Sequence, residues 1–126
     1  MRSALPLLVA AIALAACHDE NATARQTLRD CDAGDVAACD RMARRFQTGE
    51  YVLRDAARAA ALHERACAGG IGDACARLGV ASQRAAGVTR DSARAVQVFQ
   101  QGCASGGMMG CTRLGALHET GINVAT

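Results

Sequence analysis

The sequence predicts an all-α fold: a right-handed solenoid of 36-residue αα-hairpin repeats with one disulfide at each repeat seam. Three observations predict it. Cys31, Cys39, Cys67, Cys75, Cys103 and Cys111 form pairs eight residues apart, and equivalent members of each pair recur every 36 residues. Other residues keep the same period: Gly34, Gly70 and Gly106; Arg41, Arg77 and Arg113; Met42, Leu78 and Leu114; Arg54-Asp55 and Arg90-Asp91. Composition is the third. Alanine dominates the 126 residues and only Phe46, Tyr51 and Phe99 are aromatic, which favours closely packed helices over strands. A period in the mid-thirties is that of a helix pair stacked on its neighbours, because one pair alone cannot bury its apolar side.

Along the chain, the first element is an address. Arg2 supplies a positive start, Leu7 to Ala16 form an unbroken apolar run, and Leu14-Ala15-Ala16-Cys17 closes it with small residues ahead of a cysteine. The run is too short to span a bilayer, which takes about 20 residues, and it has the size of a signal-peptide core. It resembles a bacterial lipobox. That resemblance implies removal of residues 1–16, a diacylglycerol thioether on Cys17, and a chain anchored to a membrane without crossing it. It also accounts for an odd total of seven cysteines. His18 stands where an aspartate tends to retain such proteins in the inner membrane of enteric bacteria. The resemblance therefore points to the outer membrane, on its periplasmic side.

Residues 17–30 are the anchored N-terminus and a leading half-repeat helix, and residues 31–126 hold the repeats. Within a unit, Val36, Cys39, Met42, Ala43 and Phe46 make one helical stripe at three- and four-residue steps, which defines helix A. Gly49-Glu50-Tyr51 and Ala86-Gly87-Val88 interrupt the pattern. Asp55 and Asp91 then occupy N-cap positions, and Ala-rich helices B run to about Ala66 and Gly102. Leu78-Gly79 and Leu114-Gly115 place a large residue beside one that lets a neighbouring helix approach.

Eight residues of continuous helix would hold paired cysteines about 12 Å apart, whereas a disulfide needs Cα atoms within roughly 4.4 to 6.8 Å. The chain must reverse between them, and Gly34, Gly69-Gly70 and Gly106-Gly107 lie where it does so. The pairs are therefore Cys31–Cys39, Cys67–Cys75 and Cys103–Cys111, each tying a helix B to the next helix A. Closing so short a loop contributes roughly 2 to 3 kcal/mol, a large share for a chain with so few aromatics. Zinc is the rival use of ordered cysteines, but structural zinc sites space their pairs two to four residues apart.

Cys67-x7-Cys75, followed by Ala76-Arg77-Leu78-Gly79, the Gly87-Val88 turn and Asp91-x-x-x-Ala95, resembles the sel-one-like repeat, a tetratricopeptide-like helical hairpin. More narrowly it resembles the Helicobacter cysteine-rich proteins, over about residues 22–126. The resemblance implies an adaptor that binds proteins. Through the cysteine-rich secreted members it implies, as an alternative, a β-lactam-binding protein or weak β-lactamase.

The residues themselves assemble no catalytic site and call for no cofactor. There is no lysine, so Ser-x-x-Lys and Lys-Thr-Gly motifs are impossible. Ser82, Ser92 and Ser105 have no visible base, and Asp73, Asp91 and Glu119 read as solvated carboxylates. His18, His63 and His118 are scattered and read as exposed, which does not suit a metal site. A catalytic dithiol normally uses Cys-x-x-Cys, absent here. The net charge of +2, with arginines interleaved among acids, lacks the basic footprint of a nucleic-acid binder. Arg41, Arg44, Arg77, Arg84 and Arg113, on or near helices A, form the candidate binding face, on the expected concave side. They suit an acidic protein or peptide of the cell envelope. The third unit stops at Thr126, before its helix B, so either the sequence is a truncated version of a longer repeat array or Leu114, Leu117 and Ile122 offer an apolar face to another molecule, a second copy of the chain among the candidates.

Overall fold

The computed structural model describes residues 20–121. The expected signal segment, Cys17, His18 and Ile122 lie outside them. Helix α1 is described over 20–32, and is followed by α2 (Val36–Thr48), α3 (Ala56–Ala68), α4 (Gly72–Arg84), α5 (Ser92–Ala104) and α6 (Met108–Glu119). Helices α2, α4 and α6 are the A helices of successive units, and α1, α3 and α5 are the B helices. From α2 onward each helix packs on the next, and α4 also touches α6 across a seam. The result is a solenoid of helical hairpins.

The B helices α3 and α5 start where the sequence places their caps. Asp55 Oδ1 accepts the Arg58 N–H at 3.0 Å and Asp91 Oδ1 accepts the Arg94 N–H at 2.9 Å. These carboxylates each satisfy one of the amide groups that a helix start leaves without an intrahelical partner. Asp35 does the same for α2, accepting from Ala38 at 3.1 Å. Helices B run two residues beyond the expected ends, to Ala68 and Ala104. The B-to-A turns reverse on Gly34, Gly70 and Gly106, with φ of 104°, 96° and 84°. Glycine reaches that left-handed region without a steric penalty.

Those reversals bring the cysteines together. All three predicted disulfides are present, with Cα–Cα separations of 4.6 Å in each, so all six sulfurs are used and the zinc alternative falls. The core is built from small residues and lies between the helix rows. Cys31, Cys39, Met42 and Phe46 pack with Ala43 and Ala59 in the first unit. Cys67, Cys75, Leu78 and Val98 continue the core, and Phe99 packs with Ala76 and Ala95 further along. A Cβ on Gly79 would lie 2.5 Å from the Phe99 ring, so the ring fills the space that a side chain would take. Among the described residues no helix is long and apolar enough to cross a membrane.

Candidate functional site

The period puts one arginine at the same place on each A helix: Arg41 on α2, Arg77 on α4 and Arg113 on α6. Arg44 lies one turn after Arg41, and Arg84 ends α4. The structure gives these five different surroundings. Arg77 donates from Nη1 to Asp40 Oδ1 at 3.2 Å, reaching back across the seam to the preceding A helix. Arg44 approaches the other oxygen of Asp40 at 3.4 Å. Arg41 lies 4.0 Å from Asp35 and stays half exposed. Arg84 and Arg113 are exposed, with no acidic partner among the described residues. Two of the five candidate residues thus converge on one buried carboxylate, Arg77 from a largely covered position and Arg44 from a half-exposed one, and the other three stay at the surface away from it.

Asp40 was not among the sequence candidates, and neither was the role of its third neighbour. His63, expected to be exposed, is 2% exposed. Its Nδ1 faces Asp40 Oδ1 at 3.5 Å and its Nε2 lies 3.5 Å from Gln47 Oε1. The reason is register. Thirty-six residues on, Asp40 and His63 become Ala76 and Phe99, both fully buried. The first unit therefore carries a polar pair where the second carries an apolar one. Burial pushes the Asp40 carboxyl up. The His63 contact and the Arg77 and Arg44 guanidiniums outweigh burial and hold the carboxyl below its ordinary value of 3.8. Aligning the repeats position by position would have exposed the substitution, because a buried B-helix position is the last place to expect a solvated histidine.

The remaining polar candidates have structural partners or lie apart. Ser82 is buried and donates to the Leu78 carbonyl at 3.0 Å. Ser92 is the first residue of α5 and Ser105 its C-cap. Asp91 is occupied as the α5 cap, whereas Asp73, expected to be solvated, is half-buried in the first turn of α4 with its Oδ1 buried and without a hydrogen-bond partner among the described residues. His118 and Glu119 are exposed at the end of α6. Leu114 and Leu117 are partly buried against the Phe99 cluster.

A profile of the Sel1 repeat matches residues 36–71, 72–107 and 109–125. The chain belongs to the Sel1 repeat family. The first two matches begin at the starts of α2 and α4, so the family's unit and the structural unit share a register. Sel1 repeats typically serve as protein-interaction scaffolds. Three solved structures are similar. Cysteine rich protein B of Helicobacter pylori is 25% identical with a TM-score of 0.68, over 72% of this chain and 68% of that one. A Sel1 repeat protein from Oxalobacter formigenes is 26% identical with a TM-score of 0.76, over 82% of this chain and 42% of that one. A protective antigen of uropathogenic Escherichia coli is 22% identical with a TM-score of 0.74, over 81% of this chain and 22% of that one, and shares the fold. No curated protein matches the chain.

Proposed function

We propose that this Sel1 chain is an exported, lipid-anchored scaffold of the bacterial cell envelope that holds an acidic protein or peptide along its row of A helices. The observation that carries the binding part is the arginine row: Arg41, Arg77 and Arg113 recur at one register position, and Arg84 and Arg113 have no acidic partner among the described residues. Unpaired guanidiniums on a rigid repeat surface are donors waiting for carboxylates, which they bind in a planar fork. The solenoid supplies an extended face on which several such contacts act together.

Export is supported by the three disulfides, which persist in oxidising compartments and are rare in the cytosol. The apolar run ending at Cys17 supports cleavage and lipidation there, and His18 supports the outer membrane. Two acyl chains hold a protein where one does so only marginally.

The test is expression of the full chain in a Gram-negative host, followed by fractionation and intact-mass measurement. The expected product begins at Cys17, carries the mass of a diacylglyceryl group and sediments with outer membranes, whereas Cys17→Ser leaves it unlipidated. A product that keeps residues 1–16, or a cleaved one without lipid, contradicts the anchor. Binding is read separately. Reversing Arg41, Arg84 and Arg113 to glutamate should abolish retention of the envelope partner, and reversing the exposed B-helix residues Arg65 and Arg94 should not.

A further inference from the structure

We infer that the chain has a second binding site, a groove at its N-terminal end that takes a peptide segment bearing a large apolar side chain next to carboxylates. The groove lies between α1, α2 and the turn before α3, is open to solvent and has a volume of about 590 Å³, within the usual range for ligand sites. Its floor is apolar, from Leu28, Met42, Phe46 and Val52. Three guanidiniums, those of Arg25, Arg54 and Arg58, stand around it.

The internal repeat shows how unusual this is. The turn before α5 has the same backbone: Asp91 donates to the Ser82 carbonyl at 3.0 Å, as Asp55 does to the Phe46 carbonyl at 2.9 Å. In that second copy, Gly87 fits so tightly against α3 that an added Cβ would lie 2.3 Å from the Ala56 backbone. Its φ is 75°. The first copy keeps that left-handed backbone, at φ 60°, but places Tyr51 there. A bulky residue in this region is a true outlier, and such strain persists where something compensates for it.

Four further positions change in the same direction. Glu64, Ser82, Thr89 and Ala61 of the second copy correspond to Leu28, Phe46, Leu53 and Arg25 of the first. Polar or small residues have become apolar or cationic. The exchange also frees a charge. Arg94 is paired with Glu64, whereas Arg58, its equivalent, has Leu28 at the position of that acid and lies over the Phe46 ring, 4.4 Å from its centroid. Arg25 and Arg54 have no acidic partner among the described residues either. Of the nearby acids, Asp55 is committed to its cap, and Glu50 and Glu20 are exposed. Leu53 is 91% exposed and Tyr51 46% exposed beside the apolar floor. An apolar floor ringed by unpaired arginines is complementary to an apolar side chain flanked by carboxylates.

This inference rests on the scaffold reading for there being a peptide partner, but it places contact at the end of the solenoid and not along the A row. The experiment is selection of a random-peptide phage library on the oxidised mature chain, with selected peptides then synthesised and titrated by fluorescence anisotropy. The variants are Arg25→Ala with Arg54→Ala, a repeat swap (Leu28→Glu, Phe46→Ser, Tyr51→Gly, Leu53→Thr), and the A-row reversal of Arg41, Arg84 and Arg113. Circular dichroism checks that each folds, and the swap uses residues the second copy already accommodates.

The expected peptides carry Asp or Glu beside Leu, Ile or Phe. Loss of the two arginines should weaken them roughly tenfold or more, the swap should abolish binding, and the A-row reversal should leave it unchanged. Peptides without acidic enrichment, no selectable peptide, or equal binding by the swap variant would overturn the groove. Loss through the A-row reversal alone would overturn it while leaving the scaffold reading intact. Phosphatidylglycerol vesicles are the parallel probe. Binding to them that depends on Arg25, Arg54 and Leu53, without peptide binding, would replace the peptide with a membrane surface.

Discussion

Asp40 shows how much one residue changes the first unit. Its carboxylate gathers Arg77, Arg44 and His63 in a site where only 11% of its side chain is exposed. Replacing it with alanine leaves a buried imidazole and a guanidinium without their acceptor, at a cost of roughly 1 to 3 kcal/mol. The double variant Asp40→Ala with His63→Phe reproduces the apolar pair Ala76 and Phe99 of the next unit. It should recover most of the loss in urea denaturation, with a coupling that the single variants lack. The pH dependence has a definite sign. The folded Asp40 carboxyl lies below its ordinary 3.8, so the ionised form favours folding. That contribution is fully present above pH 3.8 and is lost as pH falls through the folded value. The stability difference between the wild type and Asp40→Asn, followed by chemical denaturation, should shrink as pH falls through that acidic window. None of this cluster was legible from His63 or Asp40 taken singly. It emerges only when residues 36 apart are compared, because burial is a property of register and not of residue type.

At the scale of helices and seams, the sequence was far more legible. Cysteine spacing, cap aspartates and turn glycines are local rules with short-range causes, and disulfides, caps and reversals all stand where those rules place them. The equivalent glycines of the A helices are less uniform than their sequence. Gly79 is pressed against Phe99, whereas a Cβ on Gly115 would meet nothing within 4 Å. Gly79→Ala should therefore cost roughly 1 to 3 kcal/mol through overpacking. Gly115→Ala should be neutral or gain up to about 1 kcal/mol of helix propensity, both read from thermal unfolding. The seams differ too. Cys31, Cys39, Cys67 and Cys75 are buried, whereas Cys111 is exposed and Cys103 half-buried. Graded dithiothreitol followed by alkylation and peptide mass mapping should modify Cys103 and Cys111 first, since access governs thiol attack. Simultaneous reduction of all three bonds would instead mean that the seams open as one cooperative unit.

For the whole molecule, the periodic sequence leads directly to the solenoid, and the Sel1 family match agrees with it. Function is less legible, because a repeat encodes its own stacking first and its partner only through departures from the repeat. The arginines illustrate this. Arg77 shares the register of Arg41 and Arg113 yet is drawn onto Asp40, so equal spacing did not make three equal contacts. The face left for a partner is the part of the row not drawn onto Asp40, namely Arg41, Arg84 and Arg113. The most direct test is photo-crosslinking in living cells, with a photoreactive amino acid placed in turn at positions 41, 84 and 113 on the A row and at exposed B-helix positions 57, 68 and 100. The account predicts one discrete adduct from the A-row positions, lost when the remaining A-row arginines are reversed to glutamate, and none from the B helices. Adducts confined to the B helices, or the absence of any from the A row, would contradict it.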